Sequence, residues 1–391
     1  MNEASDFPFS SIDIFCRVVD HFGDAGTAWR LCRELLGLSG KKIRVRLFID
    51  DLNTLGSIIG VSLSSHEFRE IQGIEILPWG LLDSDPAAEL VVEMFGCDPP
   101  ENYLINGATD ISLIINLDYF SCEAWAVDCH LRESLLGRQG LRKFFFMPGL
   151  DPHSGGIMST SRPNLPADKR LAKESWLKAQ GLEPDLEAMG CILAYTYSCE
   201  FRPLLEYLSA DKKPWLVWGM GNACRESLNE ICGYQMRKTM VSGMPAYQKG
   251  NCTVLLPPFY PQPVFDALLA LTELSLVRGE DSLCGALISG NPFLWQAYPQ
   301  EQGVHRPKVE SFLKSLDPIW SSESLAKLFR DSTMAFNHFD DGGPLDWEKI
   351  IIHLPDLRMD LSNFADSLRS ICNLTEKLLQ FSTLFFQGEI K

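Results

Sequence analysis

Short apolar runs separated by amphipathic stretches make up most of the chain. Ile12–Val19 reads as a buried strand and Ile43–Ile49 as the next. Between them, apolar residues at 28, 31, 32, 35 and 36 share one face of a helix running from Thr27 to Leu36. Ile74–Leu77, Leu90–Met94, Ser112–Leu117 and Lys143–Met147 repeat the short-strand theme, with helical stretches between several of them. Alternating strand and helix predicts a parallel α/β sheet. A loop rich in Gly, Ser and Pro covers residues 148–166, and a polar, helix-prone stretch continues to Glu187. The pattern then restarts. Cys191–Tyr197, Trp215–Trp218, Thr253–Leu256 and Leu274–Val277 read as strands, and Glu200–Ser209, Pro263–Leu271, Leu283–Ser289 and Val304–Leu316 as helices. After Phe339–Gly343 the pattern is helical, and Leu357 to Phe386 reads as long helices with one break.

The predicted organisation is therefore two α/β domains, 1–180 and 181–355, followed by a helical tail, 356–391, that packs back across them. This matches the GT-B plan, two Rossmann-like domains facing a cleft, with C-terminal helices. Tandem doubly wound domains also describe dehydrogenases, kinases and periplasmic binding proteins, so the pattern alone does not choose a function.

Composition narrows the class. The 391 residues carry 51 acids against 35 bases, a net charge of −16, with 46% hydrophobic and 22% charged residues. That is a soluble, globular balance whose acidity disfavours nucleic acid and anionic membranes as partners. No apolar run is long enough to span a bilayer. The twelve cysteines form no CxxC pair and sit in apolar segments, as at Cys16, Cys191 and Cys252. They read as buried, reduced thiols. The histidines do not cluster with them, which argues against zinc. The opening MNEASDFPFS is polar and acidic, with no secretory signal, so a cytoplasmic location is expected.

Four places carry candidate chemistry. Asp20 and Asp24 fall in the turn after the first strand, where open α/β sheets bind ligands. Two carboxylates there suit a cation or general-base work; the plain alternative is that Asp24 caps the following helix. Gly219–Met220–Gly221 reads as a tight turn. Pro258–Phe259–Tyr260–Pro261–Gln262, with Phe265 beyond it, places aromatics and an amide at a strand end, suited either to a nucleobase or to packing. Arg278–Gly279–Glu280–Asp281–Ser282 is the strongest: a strand breaking into glycine, two acids and a hydroxyl ahead of a helix presents amides and a hydroxyl to a diphosphate. An Arg278–Glu280 ion pair is its alternative. The aromatics of Trp295–Glu301 read as packing.

At these residues the chain resembles the EarP family, the protein-arginine rhamnosyltransferases of bacterial elongation factor P. The similarity covers nearly the full length. It is carried by IFCRVVDHFGDAGTAWRLCREL, NLDYFSCEAW, FFFMPGLDPHSGG and, most specifically, residues 258–305 with the RGEDS element at 278–282. The resemblance implies a GT-B fold, a dTDP-β-L-rhamnose donor, and inversion to an α-rhamnosyl arginine; separately, the second half shows no DxD-type metal motif, so metal independence and no other cofactor are expected. The resemblance also implies catalytic roles for Asp20, Asp24 and Glu280. Phe259, Gln262 and Phe265 would belong to a thymine pocket, and Gly279, Glu280, Asp281 and Ser282 to a diphosphate turn. Tyr197, with Tyr195 as the reserve, would be the donor-binding tyrosine. Asp20 is expected as general base or guanidinium anchor, with Asp24 holding the same group from a second side.

Two departures stand out. The chain has LCGAL at 283–287 where the family usually shows FVRAQ, and Met158–Ser159 replaces an acidic-basic pair. Three rival readings remain: a nucleotide-sugar transferase with another acceptor, a noncatalytic nucleotide-binding protein, and a dinucleotide oxidoreductase, which the missing GxGxxG disfavours.

Overall fold

Seven short runs build the first sheet: β1 (Ser11–Cys16), β2 (Arg44–Ile49), β3 (Arg69–Ile71), β4 (Ile74–Pro78), β5 (Leu90–Met94), β6 (Leu113–Leu117) and β7 (Arg142–Phe146). Seven more build a second: β8 (Gly190–Ala194), β9 (Trp215–Gly219), β10 (Arg237–Val241), β11 (Met244–Lys249), β12 (Cys252–Leu255), β13 (Leu274–Arg278) and β14 (Phe293–Gln296). The computed structural model describes residues 7–63, 68–79, 86–135, 141–163, 166–182, 189–197, 199–339, 343–371 and 373–390. Of the expected helix-prone stretch and the 339–343 turn, residues 183–187 and 340–342 lie outside these.

The chain divides into two units, Met1–Ser161 with Leu368–Lys391, and Arg162–Ser367. The first division falls at 161/162 rather than 180/181, because the helix Lys169–Ala179 belongs to the second unit: Trp176 packs edge-on against Trp218 and Tyr260. The tail is also shared out. The helix Leu354–Ile371 straddles the second division, and Leu374–Phe386 returns to the first unit.

The first sheet runs β3-β4-β2-β1-β5-β6-β7, all parallel except β3, which pairs antiparallel with β4. From β1 the chain builds outward through β2 to β4, then crosses to β5 on the other side, so the strand order reverses between β1 and β5. The second sheet, β10-β11-β12-β9-β8-β13-β14, reverses between β8 and β13 in the same way. Its parallel part, β12-β9-β8-β13-β14, is extended by the antiparallel β10 and β11. Parallel strands buried on both faces read as unbroken apolar runs, which is why the central strands were visible in the sequence. β3 and β10 are largely exposed edges with polar sequences, and carry no such signal.

One face of the first sheet packs Ile12, Ile14, Val45, Leu47 and Val92 against Trp29, Leu31 and Leu35 of the helix His21–Leu38. The final helix adds Leu374, Leu378, Leu379 and Phe381 to that core. Glu34 is buried there; it accepts bonds from Ser161 N (2.9 Å) and Oγ (2.8 Å) and from Thr375 Oγ1 (2.7 Å). On the opposite face, Phe15 stacks on Phe48 at 4.5 Å beside a buried ion pair. Asp13 and Arg46 are register partners on β1 and β2, joined by two 2.6 Å bonds. Tyr103 Oη (2.5 Å) and Ala88 N (3.0 Å) also donate to Asp13. Among the described residues, no helix is long and apolar enough to cross a membrane.

Replacing Arg46 with Met should cost about 3–5 kcal/mol of stability in urea unfolding, because it strands the Asp13 charge in the core. Tyr103→Phe, which removes one of several donors, should cost about 1–3 kcal/mol. Equal and negligible effects would show that the pair does not hold the first sheet together.

Candidate active site

In the first unit, β1 ends at Cys16 at the reversal point and the chain loops into the helix His21–Leu38. Asp20 is the residue before that helix and is half-buried. Its carbonyl accepts from Gly23 N at 2.7 Å. A Cβ on Gly23 would lie 2.8 Å from Asp20 Oδ2, so glycine leaves the room that this carboxylate occupies. Asp24 sits in the first helical turn, 2% exposed. Its Oδ2 accepts from the amides of Val19 (2.8 Å) and Asp20 (2.9 Å), so it fastens the loop that presents Asp20 instead of capping the helix. Its Oδ1 accepts from Tyr119 Oη at 3.2 Å, and Tyr119 stacks on Phe95 at 4.1 Å. Burial pushes the Asp24 pKa above the usual carboxylate value, opposed by the two amides and Tyr119; nearby Asp50 adds to the rise.

In the second unit, the reversal point brings together the ends of β8 and β13. Tyr195 and Tyr197 follow β8, and the Arg278 guanidinium lies 4.6 Å and 4.5 Å from their ring centres. Both tyrosines therefore meet the same cation, and the geometry does not set Tyr197 above Tyr195. Gly221, at φ +75, lets the Tyr195 ring approach: a Cβ there would fall 2.8 Å from it. Tyr195 also meets Phe265 edge-on at 5.3 Å.

The turn after β13 pivots on Gly279, at φ +62. It enters the helix Asp281–Ser289, whose first-turn amides point outward at its start. The Ser282 hydroxyl donates to the Arg278 carbonyl and accepts from Arg278 N at 3.2 Å. Ser282 is thus buried, and its hydroxyl bonds the end of β13 and closes the turn. Gly279 is held on both sides, its N donating to Gln296 O (3.1 Å) and its O accepting from Trp295 Nε1 (2.6 Å).

The acids are also committed. Glu280 pairs with Lys308 at 2.5 Å. Asp281 turns inward to Arg162, with Nη2 2.6 Å from Oδ1, and accepts from Gln262 Nε2 at 3.2 Å. Arg162 further holds Asp266 at 3.1 Å. Gln262 and Phe265 lie on the first turn of the helix Gln262–Leu271, and Phe259, 39% exposed, precedes it. The second unit therefore gathers Phe265, Tyr195, Tyr197, Gln262 and the 278–282 turn, while Asp20 and Asp24 form a separate group in the first.

Three partners escaped the sequence reading: Tyr119, Lys308 and Arg162. Tyr119 lay within the NLDYFSCEAW motif, without a role. The other two gave no local signal, because each meets its acid only through the fold.

The chain matches the family model of the elongation-factor P (EF-P) rhamnosyltransferase EarP over residues 12–383. It is 31% identical to a protein-arginine rhamnosyltransferase of Pseudomonas aeruginosa over 95% of this chain and 98% of that protein. A protein-arginine rhamnosyltransferase of Shewanella oneidensis is 28% identical over 94% and 96%. A solved structure described as the structural basis for EarP-mediated arginine glycosylation of translation elongation factor EF-P superposes with a TM-score of 0.59. It covers 95% of this chain and 98% of that one at 20% identity, which identifies the two-domain α/β fold as GT-B. The chain belongs to the EarP family and is a glycosyltransferase, a protein-arginine rhamnosyltransferase.

Proposed function

We propose that this enzyme transfers L-rhamnose from dTDP-β-L-rhamnose to an arginine of elongation factor P in the cytoplasm, with inversion at the anomeric carbon. The family match over residues 12–383 carries this reading. The relatives' name supplies the sugar and the residue type, and the solved relative's description names EF-P as the protein glycosylated in that system.

The chemistry sets two demands. A guanidinium has a pKa above about 12, so it must lose a proton as its nitrogen attacks. In our reading Asp20, half-buried at the helix start, anchors the guanidinium as an ion pair. Asp24, whose pKa burial raises, serves as the base and takes the proton through the Oδ1 edge that Tyr119 orients. This keeps Asp20 as the guanidinium anchor and gives the general-base role, expected at Asp20 or not at all, to Asp24. The bond from nitrogen to the anomeric carbon forms as the bond from that carbon to the diphosphate oxygen breaks, and dTDP leaves.

The second demand is to stabilise the departing diphosphate. The outward amides at the start of the helix Asp281–Ser289, with Arg278 and Lys308 close to the turn, supply positive potential there. Glu280 holds Lys308 at that edge, and Phe259, Gln262 and Phe265 receive the thymine. We infer that no metal is needed.

Intact-mass spectrometry of EF-P incubated with the enzyme and dTDP-β-L-rhamnose should show a gain of one deoxyhexose on one arginine; an unmodified acceptor beside bound donor would point to another acceptor. Full transfer should persist in EDTA, and activity lost to EDTA and restored by Mg²⁺ would contradict metal independence. Asp24→Asn should lower kcat by about 10²–10⁴-fold while donor affinity stays near normal. In the wild type, kcat/KM should fall as pH drops through the raised Asp24 pKa, since the base must be ionised. Tyr119→Phe removes a bond that favours the ionised form, so it should move that acid limb to higher pH. A limb unmoved by Tyr119→Phe and retained in Asp24→Asn would assign the base elsewhere.

A further inference from the structure

We propose that Arg162 and Asp281 lock the amide of Gln262 in one orientation and thereby select a nucleobase with a proton on N3, thymine or uracil, over cytosine. The proposal rests on the reading of Gln262 as a base contact. Arg162 is buried, with a side chain 2% exposed. Its Nη2 bonds both the Asp281 carboxylate at 2.6 Å and the Asp281 carbonyl at 2.9 Å. Nη1 bonds Asp266 at 3.1 Å, which fixes the guanidinium plane between two helices. One carboxylate oxygen of Asp281 is taken by this ion pair, and the other faces Gln262 Nε2 at 3.2 Å.

A carboxylate in an ion pair can only accept hydrogen bonds. The amide beside it must therefore turn its NH₂ inward. Its oxygen is then set on the opposite side. Gln262 is 6% exposed on the first turn of its helix, with Phe265 one turn on and Phe259 before it. An acceptor held in that frame pairs with the N3–H of thymine or uracil and is repelled by the bare N3 of cytosine. A free amide would flip and serve either base. Gly285 is part of the device, because a Cβ there would lie 2.7 Å from Arg162 Nη1. Gly285, inside the 283–287 segment that departs from the family pattern, makes room for this guanidinium.

The test is titration calorimetry of the full chain with dTDP, dUDP and dCDP. dUDP and dCDP both lack the methyl group, so their ratio isolates the N3 position. The wild type should bind dTDP and dUDP, and prefer dUDP over dCDP by about 100-fold or more. The triple variant Arg162→Met/Asp266→Leu/Asp281→Leu replaces all three linked charges with apolar groups, so that none is stranded, and should keep a cooperative melting transition. Its preference for dUDP over dCDP should fall to about tenfold or less, as should that of Gln262→Ala. A folded triple variant that loses affinity for both nucleotides equally, keeping their ratio, would show that these charges only pack the helices and would overturn the proposal. If the wild type binds no dTDP, the donor-site reading itself fails and the inference with it.

Discussion

A serine hydroxyl bonded to the carbonyl four residues before it closes the turn at the end of β13, and the candidate residues of the second unit are arranged around that closure. The strand must stop, reverse and become a helix within the Arg278–Ser282 segment. Gly279 makes the reversal in the left-handed region, where another residue would cost about 1–2 kcal/mol. Ser282 then fastens the helix start back onto the strand end, and Trp295 and Gln296 hold the glycine from β14. With its side chains bonded inward or to neighbouring helices, the turn offers mainly backbone amides at its mouth. A fixed array of amides suits a diphosphate better than flexible side chains, because no reorganisation is needed as charge develops.

The two units use the same topological device for different chemistry. Each sheet reverses its strand order beside its first strand, and each reversal point carries the candidate residues of that unit. The first unit also shows two buried carboxylates with different partners. Asp13 and Asp24 are both buried. Asp13 is bonded to Arg46, Tyr103 and Ala88, so its charge is matched inside the core. Asp24 has amides and a phenol as its hydrogen-bond donors, and burial leaves it a stronger base than an exposed carboxylate. Matched charge holds two strands together, whereas the carboxylate without a cation is the one our proposal uses for proton transfer.

Much of this was legible in the chain. Buried parallel strands announce themselves as apolar runs, and polar residues at their ends mark where ligands bind, so Asp20, Asp24 and the Arg278–Ser282 turn stood out. The direction of each side chain was not legible. Ser282 is a residue type a diphosphate would call for and Asp281 is not, yet both bond inward, because the turn needs its own closure and Arg162 needs a partner. Arg162 lies 119 residues from Asp281, and no local pattern links them. The polar strands β3 and β10 and the division at Ser161 were hidden for related reasons: exposed edges lack an apolar signal, and the helix Lys169–Ala179 declares its side only through Trp176.

The central claim is that the donor nucleotide is held by the second unit, at the reversal point of its sheet, and that the paired aspartates of the first unit serve the acceptor. Hydrogen–deuterium exchange of the full chain with and without dTDP tests it most directly. The account predicts slowed exchange in peptides covering residues 259–265 and 279–285, with residues 17–26 unchanged. Protection at 17–26 without protection at 279–285 would place the nucleotide beside the aspartates and contradict it.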